Sequence, residues 1–472
     1  MATTYKTPGV YVEEIPTLPP SIAAVETAIP AFIGYTEKGD LRKPTRIESL
    51  VEFEAVFGTA QPEKKFTATV VESATDGIDV EVDLSEGDRS KYILYYALQL
   101  FYANGGKVAY IISAGTFKEN GAPVTGELQA CLEPLSKVDE PTLIVIPEAT
   151  SLKNSDFKTL MADALTQCKT LGDRFVIMDA HDWDETNAAA PPGKFGDADA
   201  NANKAVGNFR SESIGTDDLK FGAAYAPYLA TILDFTVDET QIEVNYTKDG
   251  NKTTPTLSEL QKESNGAYEA VKAEIRDYPM ILPPSAAIAG IYARVDGDRG
   301  VWKAPANVSV NAVVKPTIEF SKSMLDTLNV DPGAGKSINA IRTFVGKGTM
   351  VWGARTLAGN DNEWRYVSVR RFFLFAEESI KKATEQFTFE PNDANTWVKV
   401  QAMIENFLTV QWRAGALQGI KPEHAFYVLV GLTKTMTPLD ILEGRMIVKI
   451  GMAVVRPAEF IVLQFSHKMA ES

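Results

Sequence analysis

The pattern of apolar and polar positions is most informative over residues 338–380. Two short apolar runs, 341–345 and 350–352, are broken by Gly346, Gly348 and Gly353. Glycine inside a strand pattern marks a bulge or a close backbone approach, so this segment is predicted to be a tightly turned β-ribbon. Directly after it, Val369, Phe372, Phe373, Ala376 and Ile380 recur at intervals of three and four. That spacing lays an apolar stripe along one face of a buried helix. Glu377 with Lys381, and Glu378 with Lys382, are i,i+4 pairs in the favourable orientation, each contributing about 0.2–0.5 kcal/mol.

The rest of the chain alternates strands and helices. Val10, Tyr11, Val12 and Glu13 form a short alternating strand, followed by Pro16, Pro19 and Pro20. Prolines this dense stop both helix and ladder, which predicts an extended arm at residues 1–20, too apolar for simple disorder. Such an arm suits addition to another subunit's sheet edge. From residue 29, buried strands are predicted at 31–35, 108–112, 142–146 and 175–179. Between them lie helices at 50–57 (capped by Ser49), 92–102 and 156–171. This order gives an α/β fold, α+β overall, with a mostly parallel sheet. Residues 184–208 read as a surface excursion and 238–252 as a polar hairpin or loop. A helix of small residues at 285–294 is predicted to be buried. A second strong helix spans about 393–416, with Trp397, Val400, Ile404, Phe407 and Leu408 on one face and Asp393 or Asn395 as its cap. Strands are predicted at 426–430, 446–455 and 460–465. An apolar strand at each end of one chain invites aggregation unless it is paired, and a polymer resolves this by pairing the ends between copies.

Composition narrows the class. The chain has 472 residues, 45% hydrophobic and 23% charged, which suits a globular protein of two to four domains. No apolar run approaches the roughly 18 residues of a membrane span, and the first ten residues lack a signal-peptide core. Synthesis and folding in the cytoplasm are therefore expected. Two cysteines, Cys131 and Cys168, leave little for a disulfide framework, and three histidines leave little for a zinc site. The net charge of −15 is uneven: residues 341–472 carry 16 Lys and Arg against 13 Asp and Glu, and the remainder 31 against 49. An acidic surface of that size argues against nucleic-acid binding.

Two segments suggest chemistry. Pro332-Gly333-Ala334-Gly335-Lys336-Ser337 ends like a phosphate-binding loop, but Val330 stands where the first glycine belongs, and strand rather than helix follows. Asp179, His181, Asp182 and Asp184 follow a predicted strand at the place where an open parallel sheet carries ligands. A cytoplasmic α/β enzyme using the 179–184 loop or the 333–337 turn is thus the alternative reading. No G-x-S-x-G, HExxH or CxxC is present. Arg365, Arg370, Arg371, Lys381 and Lys382 are the densest basic cluster, read by default as a solvated helix face.

The wording of three blocks goes further. NAIRTFVGKGTMVWGARTL (339–357) followed by WRYVSVRRFFLFAEESI (364–380) closely resembles the C-terminal half of contractile tail sheath proteins of phage tails and related injection systems. GVWKAPAN (300–307) resembles a second block of that family, and TPGVYVEEI (7–15) a third. The resemblance implies an N-terminal linking arm at 1–20, an outer α/β domain at 21–300, an inner domain at 301–455 and a C-terminal linking arm at 456–472. It implies a structural protein with neither catalytic site nor cofactor, polymerised with itself as hexameric rings around an inner tube. Baseplate and cap proteins would be its other partners, in a phage tail or tail-like particle. The linking residues would include Val10, Tyr11, Val12, Ile15, Phe460, Val462 and Phe465. Candidate tube-facing charges would be Arg370, Arg371, Lys381, Lys382, Lys399 and Arg413.

Overall fold

The structure, a computed structural model, describes residues 22–464 except 74–76, 85–88, 120 and 182–198; side chains of 199–203 are also left aside. Backbone contacts divide the chain into two units, Glu26–Glu377 with Arg456–Ser472, and Met1–Val25 with Glu378–Val455.

The larger unit is built on a nine-stranded sheet. From one edge to the other its strands are Val308–Ser309, Gly348–Val351, Ile338–Phe344, Gly222–Ala226, Phe175–Asp179, Leu143–Val145, Pro30–Thr36, Ala109–Thr116 and Thr45–Ile47. The six from Ile338–Phe344 to Ala109–Thr116 run parallel. The pairings outside them are antiparallel. Every residue of Pro30–Thr36, Phe175–Asp179 and Gly222–Ala226 is buried, as expected for parallel strands covered on both faces. Both edges are very short, two and three residues, which limits unwanted pairing.

The predicted ribbon is present: Ile338–Phe344 pairs antiparallel with Gly348–Val351. Gly346 and Gly348 both take φ of +75° at its turn, a conformation that a Cβ disfavours. The small-residue helix is Ser285–Arg299, buried along its first eight positions. It packs against the helix Leu94–Ala103 so closely that a Cβ on Gly290 would lie 2.4 Å from the Phe101 carbonyl oxygen. Two lesser sheets complete the unit, one of four strands and one of three. The long edge strand of the former, Gly77–Asp83, exposes Asp79, Glu81 and Asp83.

In the smaller unit the helix Ala394–Arg413 is capped by Asp393, which accepts from the Thr396 amide at 3.0 Å. It buries Val400, Met403, Ile404, Phe407 and Leu408, while Trp397 is half-buried and donates to Asn392 Oδ1 at 2.7 Å. The helix packs on the strand Phe426–Val430, which pairs antiparallel with Val448–Met452.

Three expectations need revision. Asp199–Asn208, read as part of a surface excursion, is a helix with Ala205 and Val206 buried, in line with the high helix propensity of its alanines. The 446–455 strand is shorter than its apolar run. Residues 460–464 form no strand, because a strand needs a partner and none of the described residues supplies one.

Candidate assembly surface

The sheet of Phe426–Val430 and Val448–Met452 is unfinished. Val428 and Val430 are buried toward the helix Ala394–Arg413, but Tyr427 and Leu429 on the opposite face are 56% and 41% exposed. Among the described residues, no further strand joins either outer edge. Two strands alone are marginal in water; three or more, with a covered face, are needed for independent stability. Lys449 is the one charged residue in the ten positions of the two strands, so nothing here repels an incoming strand as the acidic edge of Gly77–Asp83 does.

Two ion pairs, one buried and one half-buried on its carboxylate side, tie residues near the two ends of the described chain to the larger unit. Near the N-terminus, Arg371 donates to Asp296 at 2.5 and 3.0 Å and to the Thr27 carbonyl at 2.7 Å. Thr27 Oγ1 donates to the same Asp296 carboxylate at 2.6 Å. The Arg371 and Asp296 side chains are only 3% and 5% exposed. Near the C-terminus, the Arg355 fork grips Glu459, Nε to Oε1 at 2.9 Å and Nη2 to Oε2 at 2.6 Å. Asn329 Nδ2 and Tyr366 Oη also donate to that carboxylate, at 2.8 and 3.2 Å. Burial opposes the charge on Glu459, but hydrogen bonds from Arg355 and Asn329 outweigh it and hold the carboxyl below its ordinary range. Immediately beyond it, Phe460, Ile461, Val462 and Leu463 are 70–79% exposed.

Of the residues read as linking, Phe460 and Val462 belong to this exposed run; Val10, Tyr11, Val12, Ile15 and Phe465 lie outside the described residues. The basic cluster is split. Arg371 is engaged as above, and Arg370 is buried between the rings of Trp364 and Phe221, 4.6 and 4.7 Å from their centroids, with Glu377 at 3.3 Å. The solvated-face reading therefore holds for Lys381 and Lys382, which meet Glu378 at 3.2 and 3.4 Å, and not for the two arginines. Their apolar stem and flat guanidinium suit them to burial against rings. Lys399 and Arg413 are exposed.

The segments behind the enzyme reading are used structurally. In the 333–337 turn, the amides of Gly333, Ala334 and Lys336 all donate to the carboxylate of Asp331, at 3.1–3.2 Å. A nest of amides that would receive a phosphate thus already holds an anion. Lys336 Nζ donates to the carbonyls of Arg210 and Ile214, and strand follows the turn. Asp179 caps the helix Ser285–Arg299, accepting from Ser285 N and Oγ at 2.7 and 2.6 Å. Glu148 likewise accepts from the first amide of Leu94–Ala103, at 3.2 Å, and from Tyr35 N at 2.8 Å. Burial pushes the Asp179 carboxyl up to about 7 and that of Glu148 to about 8. His181 donates Nε2–H to the Leu152 carbonyl at 2.7 Å, and burial pushes its pKa down to about 4, leaving it neutral. Asp182 and Asp184 lie outside the described residues. Burial raises both thiols, Cys131 to about 12. Among the described residues, no three or more His, Cys, Asp or Glu are grouped so as to hold a metal, and no helix is long and apolar enough to cross a membrane.

Arg355, Glu459, Thr27 and Asp296 were not singled out from the sequence. The available signal was Glu459 itself, a lone carboxylate abutting the apolar run 460–463.

Comparison with known proteins follows the same outline. Residues 359–468 match the phage tail sheath C-terminal domain family. The tail sheath protein of Vibrio phage KVP40 is 24% identical over 148 residues, 31% of this chain and 21% of that protein, so the match spans about a fifth of the relative's length. The PVC sheath complex of an extracellular contractile injection system, in its contracted state, is 28% identical with a TM-score of 0.64, covering 99% of both chains. The helical sheath of the anti-feeding prophage, also contracted, is 30% identical with a TM-score of 0.63, over 98% of this chain and all of that one. With sequence and fold alike along its whole length, the chain belongs to the contractile sheath protein family.

Proposed function

We propose that copies of this chain polymerise as stacked hexameric rings around an inner tube, and that the polymer shortens to drive the tube through a target envelope. The observation that carries this reading is the open two-stranded sheet, in a chain whose exposed run 460–463 has no partner among the described residues. The N-terminal arm at 1–20 and the C-terminal arm at 456–472 of neighbouring copies complete that sheet by strand addition. They keep subunits joined while rigid bodies rotate. The work comes from interface free energy stored during assembly, so it requires neither nucleotide nor metal.

In this scheme residues 21–300 form the outer domain and 301–455 the inner one. Lys381, Lys382, Lys399 and Arg413 are the exposed cations available to the tube; Arg370 and Arg371 support the helix behind them. Exposed ion pairs are worth only about 0–1 kcal/mol each, which suits contacts that must be exchanged during contraction. Baseplate and cap proteins bound the polymer at its ends.

Negative-stain microscopy of the purified full chain tests this reading. Rings or long tubes are expected, and deletion of residues 1–15 abolishes them. A discrete small oligomer that binds and turns over a nucleotide would overturn it.

A further inference from the structure

The grip on Glu459 continues into the central sheet. The Arg355 amide donates to Asn339 Oδ1 at 2.7 Å, and Asn339 Nδ2 donates back to the Arg355 carbonyl at 2.8 Å and to the Ala224 carbonyl at 3.1 Å. Asn339 and Ala224 lie on adjacent parallel strands, Ile338–Phe344 and Gly222–Ala226. Both Arg355 and Asn339 are buried. A carboxylate at the start of an exposed apolar run is therefore wired, through a bidentate guanidinium and a doubly bonded amide, to two adjacent strands of the nine-stranded sheet. Bidentate Arg–carboxylate pairs fix direction as well as distance. Folding of the single chain gives no reason for such fixity, because the four residues that follow touch little of it.

Resting on the sheath reading, we infer that Arg355 and Glu459 are positioning residues for assembly. They set the heading with which Phe460–Leu463 leaves the subunit, so that the run reaches a second copy already aimed at its sheet edge. Pre-setting the heading removes part of the ordering cost of strand addition. Four consecutive apolar residues, rather than alternating ones, also mean that the received strand is covered on both faces.

The test compares three full-length variants with the natural chain by thermal melting and by the concentration at which tubes form. Glu459→Gln keeps the shape of the side chain but loses the charged fork. Insertion of two glycines between Glu459 and Phe460 keeps the clamp but frees the heading. The double reversal Arg355→Glu with Glu459→Arg re-forms a pair. The insertion is expected to melt like the natural chain and Glu459→Gln to melt lower, because Arg355 loses its charged partner; both are expected to raise the assembly concentration at least about tenfold. The reversal is expected to recover part of that loss. Truncation after Glu459 separates the two ideas. If the truncated chain still forms tubes, the arm reading falls and this inference with it. If it forms none while the glycine insertion assembles at the natural concentration, the sheath reading stands and the positioning role is refuted. The insertion leaves the hydrogen bonds to Glu459 in place, so the result does not depend on Glu459→Gln folding well.

Discussion

The two units treat their sheets in opposite ways. In the larger one, a nine-stranded sheet ends in strands of two and three residues, and the long edge of the four-stranded sheet is lined with carboxylates. In the smaller one, two five-residue strands with one lysine between them carry two outer edges that no described residue joins. The first pattern is how a protein avoids pairing with copies of itself. The second leaves pairing open. Apolar content does not separate the two sheets; the length and charge of the outermost strands do.

The largest effect should come from breaking the closed unit. Arg371→Met leaves the Asp296 carboxylate buried without its partner, and removal of one member of a buried pair costs about 3–5 kcal/mol. Urea titration of the purified chain should register that loss, and a change below about 1 kcal/mol would mean that water or another group replaces the guanidinium. Next comes closing the open sheet. Tyr427→Lys with Leu429→Lys puts two charges on its exposed face, where an incoming strand must be covered. Tubes should vanish in micrographs while the monomer's melting temperature moves little, as for most surface changes.

A smaller contrast is set by pH. Glu148 and Asp179 hold protons more tightly folded than unfolded, with carboxyls near 8 and 7 against ordinary values of 4.5 and 3.8. Their contribution is therefore complete at low pH and declines as pH rises from about 4 through 8. Glu459 behaves oppositely: its carboxyl lies below the ordinary range, so its contribution is present above about pH 4.5 and is lost on acidification through its folded value. Melting followed across pH should show the first slope, flattened by Glu148→Gln; disassembly of tubes in acid should show the second. The smallest effect is expected at Lys382, whose pairing with Glu378 is 41% exposed on the lysine side. Lys382→Ala should change stability by no more than about 0.5 kcal/mol.

Much of the larger unit was legible because parallel strands buried on both faces are continuous apolar runs, as at 31–35, 142–146 and 175–179. Gly222–Ala226 was not, since GAAYA has none of the branched side chains that mark a strand. The ribbon at 338–351 could be read from its glycines, but its place in the large sheet could not, because the partner strand lies more than a hundred residues earlier. The apolar ends are what prompted the proposal of two arms. Their clamps escaped notice for a related reason: Arg355 and Glu459 are separated by 104 positions, and a pair so distant leaves no local periodicity. Arg370 and Arg371 looked solvated because they are charged and adjacent, yet neighbouring positions on a helix diverge by about 100°, and each found a different enclosed setting.

The unclosed two-stranded sheet has one more consequence. Among the described residues both of its flanks are unpaired, and two arms are proposed, so in the proposed polymer donors and acceptors balance in the interior. At the rims they do not: subunits there keep flanks or tails unpaired. Lengthening is then confined to those rims, and whatever ends it must mimic either a flank or a tail.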